Sequence, residues 1–145
     1  SINPVKKSKS AESIKPITAA NTQLASVTKE IKVYTEEEHI INKPESVVEL
    51  YETYKEAILN LADDIDIKAN KLYVAFKKDK NLCDIVILKK GLKLFINLSI
   101  GELDDSKGIM RDVSNTGHWG NGDYEVVVSD TKDLEYLMSL IKQTL

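Results

Sequence analysis

Apolar residues fall at Val47, Leu50, Tyr51, Tyr54, Ala57, Ile58 and Leu61, three and four positions apart. That spacing predicts an amphipathic helix with one buried face. Pro44 fits its first turn, where a missing N–H costs nothing, and Glu45 suits the positive end of the helix. Upstream, Thr35 with Glu38 three residues on matches a capping box, so a short helix is expected to about Asn42. The pattern then becomes strand-like. LYVAF (72–76) is apolar on both faces, and LCDIVIL (82–88) follows a polar turn. GLKLFINL (91–98) places Leu92, Leu94, Ile96 and Leu98 on one face. The links are too short for parallel crossovers, which makes the three an antiparallel meander. YEVVV (124–128) reads as a fourth strand. Asp130 or Thr131 then caps a last helix carrying Leu134, Leu137, Met138, Ile141 and Leu145. The expected class is α+β: an antiparallel sheet of about four strands, three in a meander plus one, with N- and C-terminal helices packed on one face.

Residues 1–33 break this patterning. Ser, Ala, Thr, Lys and two Pro dominate, aromatics are absent, and no period is sustained. The segment reads as a basic linker or tail, with KEIKVY (29–34) able to add a short edge strand. The folded domain is expected over 34–145. A chain that starts at Ser1 reads as processed, cleaved from a tag, or part of something longer.

Charge sharpens that division. Six Lys and two Glu give residues 1–33 a net +4, which leaves −7 for the remainder of a chain whose total is −3. An acidic body is poor material for a non-specific nucleic-acid coat, since phosphate contacts need Lys and Arg. No apolar run reaches the roughly 20 residues of a membrane helix, and no signal peptide is visible. The single Cys83 excludes an internal disulfide. The expectation is a cytoplasmic protein with no membrane partner.

Candidate chemistry is thin. His39, His118 and Cys83 lie far apart in sequence, with no zinc spacing. Glu102, Asp104, Asp105, Asp112 and Asp123 lack the calcium-loop spacing and read better as turn-formers. Asp66-Ile67-Lys68 has the letters of a restriction-type nuclease motif, but Asp63 and Asp64 stand too close to lie on a paired strand. Cys83 sits in an apolar strand pattern, where a structural thiol is usual. No nucleophile elbow, phosphate loop or dinucleotide fingerprint is present. No catalytic residue, metal or cofactor is assigned.

One loop stands apart. DVSNTGHWGNGDYEV (112–126) holds the only Trp, Trp119, together with His118 and three of the six Gly. Gly120-Asn121-Gly122-Asp123 is a strong turn signal, because Asn and Gly accept positive φ cheaply. Trp119 can cap the core, the commoner use of a large aromatic, and His118 can be a hydrogen-bonded structural residue. The alternative is a binding edge. Trp119, His118 and Asn121 would contact a planar ligand such as a nucleobase, with Arg111, Lys89, Lys90 and Lys93 near phosphates. That reading requires the loop and the 89–93 corner to lie close together. The lysines also have a plainer use, as a solvated turn that blunts a sheet edge.

Three stretches carry a family resemblance: EEEHIINKPESVVELYETYKEAIL (36–59), KKGLKLFINLSIGELDD (89–105) and RDVSNTGHWGNGDYEV (111–126). In this order, before a closing helix, they resemble a bacterial and archaeal domain of unknown function. That domain occurs at the C-terminus of proteins labelled "predicted transport protein" and behind nuclease-like domains, including modification-dependent restriction enzymes of the GmrSD type. The resemblance covers about residues 34–145. It implies a non-catalytic partner or nucleic-acid reader in a restriction or defence protein, with an upstream nuclease-like domain or a partner subunit. It offers no catalytic residues, and no membrane segment supports the transport label. The rival expectations are a protein-interaction domain without nucleic-acid binding, which the acidic body favours, and a small-molecule enzyme using the acidic loop and His118.

Overall fold

Thr35 opens the first helix, α1 (Glu36–Ile40), with a complete capping box. The Thr35 side chain accepts from the Glu38 N–H at 3.3 Å, and Glu38 Oε1 accepts from the Thr35 N–H at 2.8 Å. Asn42 turns the chain with φ +66°, and the Pro44 carbonyl then accepts from Val47 and Val48 to start α2 (Glu45–Leu59). The computed structural model describes residues 33–116 and 121–145. The chain divides into Ser1–Val33 and Tyr34–Leu145, and the fold below is that of the second unit. The linker and most of the 29–34 strand expectation lie outside the described residues; Val33 and Tyr34 belong to no helix or strand.

Among the described residues six strands follow, not four. They are β1 (Asp66–Ala69), β2 (Val74–Lys77), β3 (Asn81–Ile87), β4 (Leu92–Ile96), β5 (Arg111–Asp112) and β6 (Tyr124–Val128). One antiparallel sheet joins them in the order β1-β2-β3-β4-β6-β5. The expected four form the centre. The two added strands are edges: β1 is short and half exposed, and β5 is two exposed residues held by pairing with β6.

The last helix, α3 (Leu134–Ile141), begins later than Asp130 or Thr131. Asp130 Oδ1 instead accepts from the Lys132 N–H at 3.1 Å and the Thr131 carbonyl accepts from Leu134, a turn that delivers the chain to Asp133. Val47, Leu50, Tyr51, Tyr54 and Ile58 from α2, and Leu137, Met138, Leu140 and Ile141 from α3, share one core with the odd-numbered face of β3 and the even-numbered faces of β2, β4 and β6. Each large apolar side chain so buried contributes about 1.5–3 kcal/mol. Alternation along the strands leaves a second face for everything else.

Candidate functional site

The second face of the sheet carries the chemistry. The strand register lines up Ala75, Asp84, Phe95, Glu125 and Arg111 in one row across β2, β3, β4, β6 and β5. Val86, Phe95 and Val113 form a small apolar cluster there, with Tyr73 and Leu88 packed against it. Two polar groups flank Phe95 in the row.

The first is Asp84, 0% exposed. Its Oδ2 accepts from the Asn121 backbone N–H at 2.5 Å and from Asn121 Nδ2 at 3.0 Å. Asn121 Nδ2 also reaches the Tyr73 hydroxyl at 3.4 Å. Burial pushes the Asp84 carboxyl above the ordinary carboxylate range, and the Asn121 N–H, Asn81 and the Asn121 side chain pull it back only in part. The Asn81 side-chain amide favours the ionised form, although its Nδ2 falls short of a hydrogen bond to any described residue. The neighbouring Cys83 is fully buried; burial, then the charge of Asp84, lifts its thiol well above the usual value, so it is an inert core group.

The second is Glu125, 6% exposed. Lys93 Nζ lies 3.8 Å from its Oε1 and Arg111 Nη1 3.5 Å from its Oε2. The Arg111 side chain is 67% exposed, so its guanidinium keeps most of its donors in solvent.

The candidate binding residues therefore separate. Arg111 and Lys93 meet at Glu125, and Asn121 is fastened to Asp84 on the same face. Lys89 and Lys90 are exposed in the turn after β3, where the Leu88 N–H bonds the Gly91 carbonyl. That turn adjoins the Leu92–Val128 end of β4, whereas Asn121 precedes the strand that pairs Tyr124 with Ile96 at the other end. Trp119 and His118 lie outside the described residues.

Sequence reasoning missed Asp84 and Glu125. The signal for Asp84 was present, a lone acid inside the apolar run LCDIVIL. Glu125 had no such mark, since its partners are 14 and 32 residues away and meet it only through the sheet register.

The loop acids serve the backbone. Asp105 accepts from the Met110 N–H and the Tyr136 hydroxyl, Asp112 from the Ser114 N–H and hydroxyl, and Asp123 from the Ile100 N–H. Among the described residues, no three His, Cys, Asp or Glu side chains gather as a metal site. Two surface hollows lie elsewhere, one beside Glu52, Lys55 and Glu56 on α2, the other beside Lys78, Leu82 and Leu145. No helix among the described residues is long and apolar enough to cross a membrane.

The fold and this face define a small α+β domain with a polar, loop-fastened sheet surface. Residues 36–144 match the domain of unknown function DUF5655, and the chain belongs to that family. It is 54% identical over 144 residues to an uncharacterised protein of Haemophilus influenzae. The match takes in 99% of this chain and 48% of that relative, so the chain spans about half the relative's length. No solved structure matches the chain.

Proposed function

We propose that this domain is a non-catalytic binding module, standing beside a nuclease-like domain in a restriction or defence protein, and that its second sheet face contacts a partner domain or subunit. One observation carries the reading: Arg111 is exposed at the edge of a face where buried Glu125 holds it together with Lys93, while buried Asp84, further along the row, fastens Asn121. A face that carries a planar, always-charged donor set at Arg111 and, two residues beyond its partner Glu125 on β6, apolar Val127, which is 58% exposed, suits a protein surface carrying a carboxylate. The half of the relative that lies outside the match is the intramolecular partner this reading proposes. The setting itself rests on the family resemblance of residues 34–145.

A second reading, nucleic-acid contact, is favoured by the exposed Lys89, Lys90 and Arg111. It is the weaker because Glu125 offsets Lys93 and Arg111, and because the 89–90 turn stands at the opposite end of β4 from Asn121.

Hydrogen–deuterium exchange on the full Haemophilus influenzae relative, compared with its isolated matched half, tests the first reading. The expected result is extra protection in the full protein over the segments matching 111–127, with the α2 surface unchanged. Equal exchange in both forms, with protection of that segment appearing only on adding DNA or RNA, would replace it with the second.

A further inference from the structure

Asp84 occupies a position that the strand pattern would give to Val or Ile. Its chain neighbours are Cys83 and Ile85, and its cross-strand partners are Ala75 and Phe95. Both Asn121 donors fall on Oδ2, while Oδ1 is buried with no hydrogen-bond partner among the described residues. A buried carboxylate is normally held ionised by a cation or by donors on both oxygens. Among the described residues the surroundings supply no cation, and only the Asn81 amide stands near the carboxylate, short of a hydrogen bond. On its own strand stand Cys83 and Asn81. From β2 comes Ala75 and from β4 comes Phe95, both without charge. The segment before β2 gives Tyr73, linked through Asn121, and the loop gives Asn121 itself. The next charged group along the row is another carboxylate, Glu125, whose negative charge is offset by Lys93 and Arg111.

Beyond Asn121 the chain is fixed by other means. Gly122, at φ +89°, lies against the Ile96 carbonyl and Asn97. The Asp123 N–H donates to the Leu98 carbonyl, and the Val113 N–H donates to the Asp123 carbonyl. Asp84 is therefore the grip on Asn121 alone, one residue ahead of a rigid anchor.

We propose that Asp84 is a proton-operated latch: ionised, it holds Asn121 by two charge-assisted hydrogen bonds, and protonated, it holds the same residue by neutral bonds only, so the loop end loosens at Asn121 while Gly122 and Asp123 stay in place. Charge-assisted bonds are roughly twice as strong as neutral ones. A proton entering at Oδ1 leaves Asp84 buried and Oδ2 in contact with Asn121, so the grip on Asn121 weakens without being abolished while the neutral carboxyl relieves the cost of a buried charge for the domain as a whole. Burial sets the transition on the high side of the ordinary Asp value, about 3.9. The latch regulates the face proposed above and rests on that reading only for its consequence.

The test uses the full 145-residue chain without any ligand. Carboxyl ¹³C and amide ¹H–¹⁵N spectra are followed from about pH 3 to pH 8, a range that brackets the ordinary carboxylates. The expected result is one shared midpoint, above about 3.9, for the Asp84 carboxyl carbon and the Asn121 amide proton, with faster Asn121 exchange below it and unchanged Asp123 exchange. An Asn121 amide that does not follow Asp84, or an Asp84 midpoint at or below the ordinary value, overturns the proposal. In Asp84→Asn the Asn121 transition should vanish; a transition that persists belongs to another group and overturns it too. The wild-type titration decides the matter alone if that variant fails to fold. Partner binding is assayed separately at a pH where Asp84 is ionised, so a failed latch and a failed contact face are told apart.

Discussion

Asn121 gives both its backbone N–H and its side-chain amide to one oxygen of Asp84, joining residues 37 positions apart. The bond pair fastens Asn121, just ahead of β6, to the middle of the sheet. Its removal has two different consequences, depending on what replaces Asp84. Asp84→Ala strands two donors beside a buried void and is expected to cost about 2–3 kcal/mol in urea unfolding. A loss below about 0.5 kcal/mol, the scatter of neutral surface changes, would show that the loop is held elsewhere.

Asp84→Asn keeps an acceptor and removes the buried charge. The folded-state pKa of Asp84 is raised, so its stabilisation is fully present below the unfolded value of about 3.9 and is lost as pH rises through the folded pKa. The variant should therefore match the wild type in acid and exceed it increasingly towards neutral pH. Unfolding curves at several pH values check this, and a stability difference that does not vary with pH would refute it.

Gly122 and Gly108 both have positive φ, +89° and +63°, but only one is crowded. A Cβ on Gly122 would stand 2.1 Å from the Ile96 carbonyl oxygen, while one on Gly108 would meet nothing within 4 Å. Gly108→Ala should cost about 1 kcal/mol of backbone strain. Gly122→Ala should cost more than twice as much, because β4 backbone must move as well. Similar losses for both variants in thermal unfolding would contradict that difference.

The Tyr136 hydroxyl accepts from the Lys107 N–H at 2.9 Å and donates to Asp105, tying the segment before β5 to α3. Asp104 and Gln143 add a reciprocal pair, each bond 2.9 Å. Burial works to raise the Asp105 pKa, but Tyr136 and the Met110, Ile109 and Gly108 N–H groups together bring it below the usual value. This contribution is present above the unfolded pKa and is lost as pH falls through the folded one. Tyr136→Phe should speed exchange at Lys107 by roughly five- to tenfold, the loss of about one hydrogen bond. Unchanged exchange there would mean that Asp104 and Gln143 hold the segment without it.

The sequence pattern made the centre of the fold legible because burial dictates it. β3 and β4 are apolar where they face α2 and α3, and the helices repeat every three to four residues for the same reason. The edges escaped because little that is apolar marks them: Ile67 is the one large apolar residue of β1, and β5 has none. β1 reads Asp-Ile-Lys-Ala, half in solvent, and β5 is an exposed Arg-Asp pair defined by its backbone bonds to β6. The start of α3 was misplaced because Asp130 spends its side chain on a turn at Lys132 instead of a helix cap. At the candidate face, Arg111, Lys93 and Asn121 could be picked out by type. Their carboxylate partners could not, since pairing Arg111 with Glu125, and Asn121 with Asp84, requires the strand register.

The most direct measurement of the contact face is fluorescence anisotropy of the labelled 145-residue chain. It is titrated with the other half of the Haemophilus influenzae relative, and in parallel with single- and double-stranded DNA and RNA, with and without modified cytosine. Wild type, Arg111→Glu and Trp119→Ala are compared at low and moderate salt. The predicted result is a saturable complex with the protein half, weakened at least tenfold, or about 1.4 kcal/mol, by Arg111→Glu in a folded domain. No complex with that half, together with salt-dependent nucleic-acid binding that Trp119→Ala abolishes, would contradict the protein-contact reading and make the 113–123 loop a nucleic-acid site.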